Sequence, residues 1–206
     1  MKSIRYIHFV VLTLVVIFPV LTARAQESEL IHGTPIGSPY SYDPTSGRKS
    51  TTSYTYANAF DGKAETFFSA WDQSMSWAGL DFGKPYVITR IGFRPQTGNS
   101  GPGKMLLGVF EGANSEDFMD AVPLYLIDEE PEKNTLAYAD INVSRGFRYV
   151  RYVGPANSRC AVSMLEFYGY EGEGDDSQFY QLTNIPTLSI HVQDNIVPKT
   201  RGEDFE

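Results

Sequence analysis

The chain has 206 residues and a net charge of −8, because its 25 acidic residues outnumber its 17 basic ones. A chain of this sign is a poor partner for nucleic acids and for anionic lipids, since both are bound by Lys and Arg side chains that neutralise phosphate. The single cysteine, Cys160, excludes an intrachain disulfide and is expected to pack as a small apolar residue.

The first 25 residues have the pattern of a secretory signal peptide. Lys2 and Arg5 precede a mostly apolar run over 7–21, and Ala23-Arg24-Ala25 has the form of a cleavage site. The apolar run is shorter than the roughly 20 residues that a membrane span needs. Cleavage after Ala25 would take the net charge from −8 to −11. We therefore expect a protein that is secreted, periplasmic or on the cell surface.

The element Asn58–Trp71 carries the first chemical signal. Asp61 and Gly62 form a turn pair, and the hydroxyl of Thr66 follows five residues after Asp61. Carboxylate, hydroxyl and turned-in carbonyl oxygens are the ligands that Ca²⁺ takes in proteins. The alternative is an ordinary hairpin turn with Thr66 facing water, and this stretch alone does not decide between the two.

Short strand patterns, separated by Gly, Pro, Asn or Asp, follow along the chain without a convincing helix pattern. In residues 86–94, every second residue from Val87 to Phe93 shares one face. Such strands with turn signals between them predict an all-β protein, either a β-sandwich or a barrel. The further strands are predicted over 106–110, 122–127, 135–141, 147–153 and 162–170.

Motifs of catalysis do not occur in the sequence. The histidines, His8, His32 and His191, lie in no nucleophile or metal-ligand motif. The run Gly101–Lys104 resembles a phosphate loop only superficially, since it contains a proline and no helix pattern follows it. We therefore expect no enzyme activity from this chain.

The last strand pattern contains a lone acid, Glu166, among apolar and aromatic residues. A carboxylate in such a strand needs a partner or a metal ion. Five motifs occur in order along the chain, which are Ala59–Phe68, Trp77–Gly83, Val109–Phe118, Phe147–Tyr152 and Ser163–Gly169. Together they resemble the discoidin-like domain, or factor V/VIII type C domain, and its bacterial sugar-binding branch, carbohydrate-binding module family 32.

The resemblance covers roughly residues 31–170 and implies a jelly-roll β-sandwich of the galactose-binding-domain-like type, over residues 26–170. It also implies a structural calcium ion that ties the early turn to the last strand. The implied ligands are the side chains of Asp61, Thr66 and Glu166 and the backbone carbonyls of Asn58, Lys63 and Leu165.

The function that the resemblance implies is weak, non-catalytic binding of glycan ends, with galactose-type sugars as a first guess. The candidate ligand residues are Trp71, Arg94, Asn99 and Lys104, with Tyr54 and Tyr56 as further candidates. Trp71 is equally well explained as a partly buried loop anchor, and Arg151 as an ion-pair partner or a sugar contact. The alternatives are an adhesion or spacer module that binds a protein partner, and an accessory domain of a larger glycan-acting enzyme.

Two segments follow the predicted domain. Residues 171–180 are rich in Gly and acids and are predicted to be a linker. Residues 181–206 contain a strand-like alternation and are predicted to begin a further module that is truncated or missing.

Overall fold

The computed structural model describes residues 27–98 and 100–174. The predicted signal peptide, Asn99, residues 175–180 of the predicted linker and the tail 181–206 lie outside the described residues. Within the described ranges, no helix is long and apolar enough to cross a membrane.

The described residues form antiparallel strands and two short 3-10 helices, Tyr56–Phe60 and Pro102–Lys104. The strands are β1 (Glu29–Leu30), β2 (Thr34–Gly37), β3 (Ser41–Asp43), β4 (Arg48–Ser50), β5 (Trp77–Pro95), β6 (Val109–Ala113), β7 (Val122–Leu126), β8 (Ala137–Asp140), β9 (Gly146–Val153) and β10 (Val162–Glu171).

The long strand β5 belongs to both layers of the fold. Its first part pairs with β2 and β9, and its second part pairs with β10 and β8. The register shifts between Asp81 and Tyr86, where Gly83 has φ +76° and Pro85 interrupts the ladder. A glycine at positive φ relieves the steric cost of this bend. The prediction of an all-β sandwich is thus confirmed.

The core lies between these layers and is built from alternate residues of the strands. On β10, the side chains of Leu165 and Phe167 are buried, while Glu166 and Tyr168 between them are partly exposed. This alternation is what a strand with one buried face requires. The largest fully buried apolar side chains are Phe68, Ile88, Ile91, Met105, Phe110, Ile127, Phe147, Val150, Val162 and Phe167.

The structure bears on three local predictions. Cys160 is a buried free thiol, as expected. Arg151 forms an ion pair with Glu111 at 2.7 Å, which supports the first of its two interpretations. The strand predicted from Leu106 starts only at Val109, because the preceding residues form a helical turn and Leu107 has φ +71°.

The first residues of the predicted linker are attached to the domain. β10 continues to Glu171, and the amide of Gly172 donates to the carbonyl of Pro85 at 3.1 Å. The amide of Gly146 donates to the carbonyl of Glu173 at 2.6 Å. Residues 171–174 therefore pack against the domain.

Gly79 marks the tightest strand contact between β5 and β9. A Cβ at this position would lie 2.2 Å from the carbonyl oxygen of Val150. We expect Gly79→Ala to lower the free energy of unfolding by about 1–3 kcal/mol, because the backbone has to shift. Urea denaturation measures the change. Gly103→Ala is the control, since its Cβ would meet only the end of the Glu130 side chain, at 3.3 Å; equal losses in both variants would contradict the explanation.

Candidate functional site

Trp71 lies in a cluster of aromatic side chains at the start of β3. Its ring is half-buried and lies 6.3 Å from the ring of Tyr42, and its amide donates to the carbonyl of Tyr40 at 2.9 Å. The side chain of Tyr40 is 44% exposed. The three residues Tyr40, Tyr42 and Trp71, called the aromatic cluster below, therefore present ring surface to solvent.

Two cations lie on this aromatic cluster. The ammonium of Lys49 is 4.3 Å from the ring centre of Tyr40 and 5.4 Å from that of Trp71. The guanidinium of Arg159 is 4.2 Å from the ring centre of Tyr42, and its Nη1 donates to the carbonyls of Ala70 and Trp71. Rings with adjacent fixed donors are the parts from which sugar sites are made.

The loops beside the aromatic cluster hold much of the unusual backbone geometry. Non-glycine residues with positive φ include Tyr54, Met75, Asn157, Arg159 and Cys160. The amide of Ser69 donates to the carbonyl of Tyr54, and the amide of Arg159 donates to the carbonyl of Gln73, so these loops are tied together. Backbone in this region is costly, and it concentrates at functional sites.

The other predicted ligand residues are spread more widely. Lys104 donates to Oε1 of Gln96 at 3.0 Å. Burial lowers the pKa of Lys104, and the charge of Arg159 lowers it further. Tyr54 packs on Phe67 at 4.8 Å, and Tyr56 packs against the core. Asn99 lies outside the described residues.

Arg94 is committed to holding loops together. Its Nη1 donates to the carbonyl of Ala64 at 2.8 Å and to the hydroxyl of Thr97 at 3.3 Å, and its Nε donates to the carbonyl of Asn134 at 3.2 Å. The predicted ligand role of Arg94 is not tested by this geometry, but the side chain already joins three loops.

Three residues of the early half of the predicted calcium set, Asp61, Lys63 and Thr66, contact one another. The hydroxyl of Thr66 lies 2.8 Å from both carboxylate oxygens of Asp61 and 3.1 Å from the carbonyl of Lys63. Asn58 ends a helical turn in which its amide donates to the carbonyl of Thr55. The oxygens of Asp61, Lys63 and Thr66 thus converge on one turn, and oxygen atoms are the ligands that Ca²⁺ takes in proteins.

The late half of the predicted calcium set, Leu165 and Glu166, lines the same pocket as Asp61. A pocket of about 280 Å³ is lined by Asp61 and Gly62 on one side and by Met164, Leu165 and Glu166 on the other. The carbonyl of Phe167 accepts from Ile31 of the neighbouring segment. Because carbonyls two residues apart point to the same edge of a strand, the Leu165 carbonyl points toward the edge where β1 has ended.

The carboxylate of Glu166 already has partners. Its Oε2 accepts hydrogen bonds from the hydroxyl of Tyr168 at 2.7 Å and from that of Tyr138 at 3.3 Å. The hydrogen bond to Glu166 raises the pKa of Tyr168, and burial adds to the rise. The described residues contain no group of three or more His, Cys, Asp or Glu side chains that could hold a metal. Any calcium site here would thus depend on carbonyls and on two carboxylates at most.

A model of the F5/8 type C domain matches residues 44–167, which is more than half of the chain. The chain belongs to the F5/8 type C domain family. A search of curated proteins gives no match. Among solved structures, CBM62 from Clostridium thermocellum Xyl5A is 39% identical to this chain with a TM-score of 0.63, and the match covers 69% of this chain and 98% of that module.

Two more distant structures share the fold of this F5/8 type C domain. A fucolectin from striped bass (Morone saxatilis) serum is 18% identical with a TM-score of 0.56, covering 68% of this chain and 47% of that one. The CBM32 of AlyQ, in complex with 4,5-unsaturated mannuronic acid, is 14% identical with a TM-score of 0.50, covering 68% and 97%. At these identities the likeness concerns the fold alone. The similarity to CBM62 supports a carbohydrate-binding domain, and the similar structures named here are binding modules and a lectin.

Besides Trp71, the candidate site consists of four residues that the sequence did not indicate: Tyr40 and Tyr42 of the aromatic cluster, and the cations Lys49 and Arg159. Their one available signal was the pair of alternating tyrosines just before a turn. Arg159 carries no signal in the sequence, because its position depends on contacts with residues about 90 positions earlier.

The three hydrogen bonds of Arg94 generate a stability prediction for this domain. Arg94→Gln should lower the free energy of unfolding by about 1–2 kcal/mol, since the part-buried bond to the Ala64 carbonyl and the bond to the Asn134 carbonyl lose their charged donor. Arg90→Gln is the matched control on the same strand, because its ion pair with Asp140 is exposed and is worth roughly 0–1 kcal/mol. Urea denaturation compares the two variants. A loss of glycan binding in Arg94→Gln without any loss of stability would show a ligand role instead.

Proposed function

We propose that this domain is a non-catalytic module that binds glycan ends at the aromatic cluster of Tyr40, Tyr42 and Trp71. The observation that carries the proposal is a set of part-exposed rings whose positions are fixed by backbone bonds, with the donors of Lys49 and Arg159 beside them. Aromatic faces hold the C–H side of a sugar ring, and charged donors hold its hydroxyls.

Weak binding suits such a module. A single sugar on one small aromatic surface is expected to bind with a Kd on the order of 0.1–1 mM. A module that keeps a larger assembly close to a polysaccharide raises the effective concentration and does not need tight binding. We propose that the protein acts outside the cytoplasm, secreted, in the periplasm or on the cell surface, and that galactose-type ends are the first to test.

A glycan array followed by titration calorimetry tests the binding proposal. Trp71→Ala should weaken binding at least tenfold, because stacking on an aromatic face contributes much of the affinity. The matched control is Tyr138→Ala, which removes a tyrosine that is 51% exposed and lies on β8, away from the aromatic cluster. A blank array with a correctly folded domain would contradict the proposal, and equal losses in the two variants would place the site elsewhere.

We also propose that a calcium ion stabilises the turn around Asp61. The Asp61 carboxylate, the Thr66 hydroxyl and the Lys63 carbonyl already converge, and the Leu165 carbonyl points toward the same pocket. These oxygens fit a cation that accepts neutral and charged ligands alike. Asn58 would add its carbonyl, and Glu166 would have to exchange a tyrosine hydroxyl for the metal.

Thermal melts with calcium and with a chelator test this second proposal. Calcium at a hundredfold excess over its Kd stabilises by about 3 kcal/mol, which corresponds to a rise of several degrees. Asp61→Asn should abolish the rise. Asp117→Asn, which removes an exposed turn carboxylate bonded to the amide of Met119, should retain it. Identical melting curves for the wild type in both buffers would contradict the proposal.

Tyr168 reports separately on whether Glu166 joins the calcium site. If the carboxylate turns to calcium, Tyr168 loses the acceptor that raises its pKa, and the value should fall toward the ordinary value of about 10. NMR of ring-labelled tyrosine measures this pKa with and without calcium. A calcium-dependent melt without a change at Tyr168 would remove Glu166, and Glu166 alone, from the ligand set.

A further inference from the structure

Some basic side chains of this domain form ion pairs with acidic residues, and others do not. Away from the aromatic cluster, several basic residues form ion pairs, which are Lys84–Glu171, Arg90–Asp140, Arg145–Asp120, Arg148–Asp81 and Arg151–Glu111. Lys49 and Arg159, on the aromatic cluster, form no ion pair with any described residue. Arg48, Lys63, Arg94 and Lys104 also form no ion pair with a described residue, so what distinguishes Lys49 and Arg159 is that both lie on partly exposed aromatic rings.

Arg159 is held in place by backbone hydrogen bonds and by one nitrogen of its guanidinium. Its backbone amide donates to Gln73, its carbonyl accepts from Ala70, and only Nη1 of the side chain is used, for two loop carbonyls. The Nε and Nη2 groups have no hydrogen-bond partner within residues 27–98 and 100–174. These two N–H groups form the parallel fork that a carboxylate accepts with both oxygens.

Arg148, elsewhere in this domain, uses the same two nitrogens to bind a carboxylate. Nε of Arg148 donates to one oxygen of Asp81, and Nη2 donates to the other, each at 2.9 Å. This bidentate bond lowers the pKa of Asp81. Nε and Nη2 of Arg159 have no such carboxylate among the described residues, and its guanidinium lies 4.2 Å from the ring centre of Tyr42 in the aromatic cluster.

Lys49 adds a second positive charge to the aromatic cluster. Its ammonium lies over the rings of Tyr40 and Trp71 and forms no ion pair with a described residue. Of the nearby acids, Asp43 uses its carboxylate for the turn residues Thr45 and Ser46, and exposed Asp72 forms none of the described ion pairs.

We propose that the sugar bound at the aromatic cluster is a uronic acid, whose carboxylate is held by the Nε and Nη2 groups of Arg159 with Lys49 alongside. This inference rests on the proposed glycan-binding function. The negative net charge does not oppose it strongly, because charges more than about 8 Å away are screened at physiological ionic strength. The local cations therefore decide which sugars are favoured.

Matched sugars that differ only at C6 test the inference on the wild-type domain. The probes are methyl galactoside against methyl galacturonoside, and the corresponding pairs for glucose and mannose, titrated calorimetrically in calcium buffer and repeated with chelator. In at least one pair the acid should bind about tenfold or more tightly than the neutral sugar, as a charged bidentate bond replaces a hydroxyl contact. Raising the salt concentration should reduce that preference.

Variants of Arg159 and Lys49 test whether these residues cause the preference for the acid. Arg159→Lys keeps the charge but removes the fork, and Lys49→Gln removes the neighbouring charge, so both should reduce the preference for the acid several-fold. Arg48→Gln is the matched control, because Arg48 precedes Lys49 on the same strand and lies on its opposite face. If Arg159→Lys does not fold, the wild-type sugar pairs and Lys49→Gln still decide the question.

The outcomes separate this inference from the proposed function. Equal or tighter binding of every neutral sugar, still lost in Trp71→Ala, would overturn the uronic acid assignment and leave the glycan-binding function standing. No binding of either sugar in any pair, together with a blank array, would overturn both. Tighter binding of a 6-sulfated galactoside than of the galacturonoside would replace the planar carboxylate by a sulfate ester and so contradict the assignment.

Discussion

A short backbone ladder between residues 68–71 and 159–162 fixes both candidate sites. Phe68 and Val162 exchange two hydrogen bonds, at 2.8 and 3.2 Å, and the amide of Ala70 donates to the carbonyl of Arg159 at 2.7 Å. The turn around Asp61 lies just before this ladder and Trp71 lies at its end. Because Phe68 and Val162 are completely buried, the ladder is anchored in the core, and loops of irregular backbone can extend from it without losing their relative position.

The two candidate sites differ in the kind of polar group that meets there. Around Asp61, carboxylate, hydroxyl and carbonyl oxygens converge, and the Thr66 hydroxyl donates to the carboxylate. Around Trp71, ring faces converge with the cations Lys49 and Arg159. We therefore propose a cation for the first site and an electron-rich ligand for the second, so the two proposals rest on different chemistry.

The sequence was sufficient for the fold because alternation is a local signal. Residues such as Val87 and Ile91 repeat every second position, and burial of one face follows directly. The start of β6 was misplaced, since a helical turn and the positive φ of Leu107 leave no periodic trace. Glu166 was correctly predicted to need a partner, yet its tyrosine partners, Tyr138 and Tyr168, were not predicted; Tyr138 reaches it only because Gly92 between them has no side chain.

Two arginines show why a site cannot be assigned from residue type alone. Arg94 was predicted as a ligand contact from its place at a strand end, but its Nε and Nη1 are both engaged by loop groups. Arg159 gave no sequence signal, yet only its Nη1 is engaged. Since a guanidinium has five N–H donors in fixed directions, the number and direction of the unused donors decide whether an arginine supports a loop or recognises a ligand. By this criterion the geometry favours a scaffold role for Arg94, and the unused donors of Arg159 are the basis of the ligand role that we propose for it.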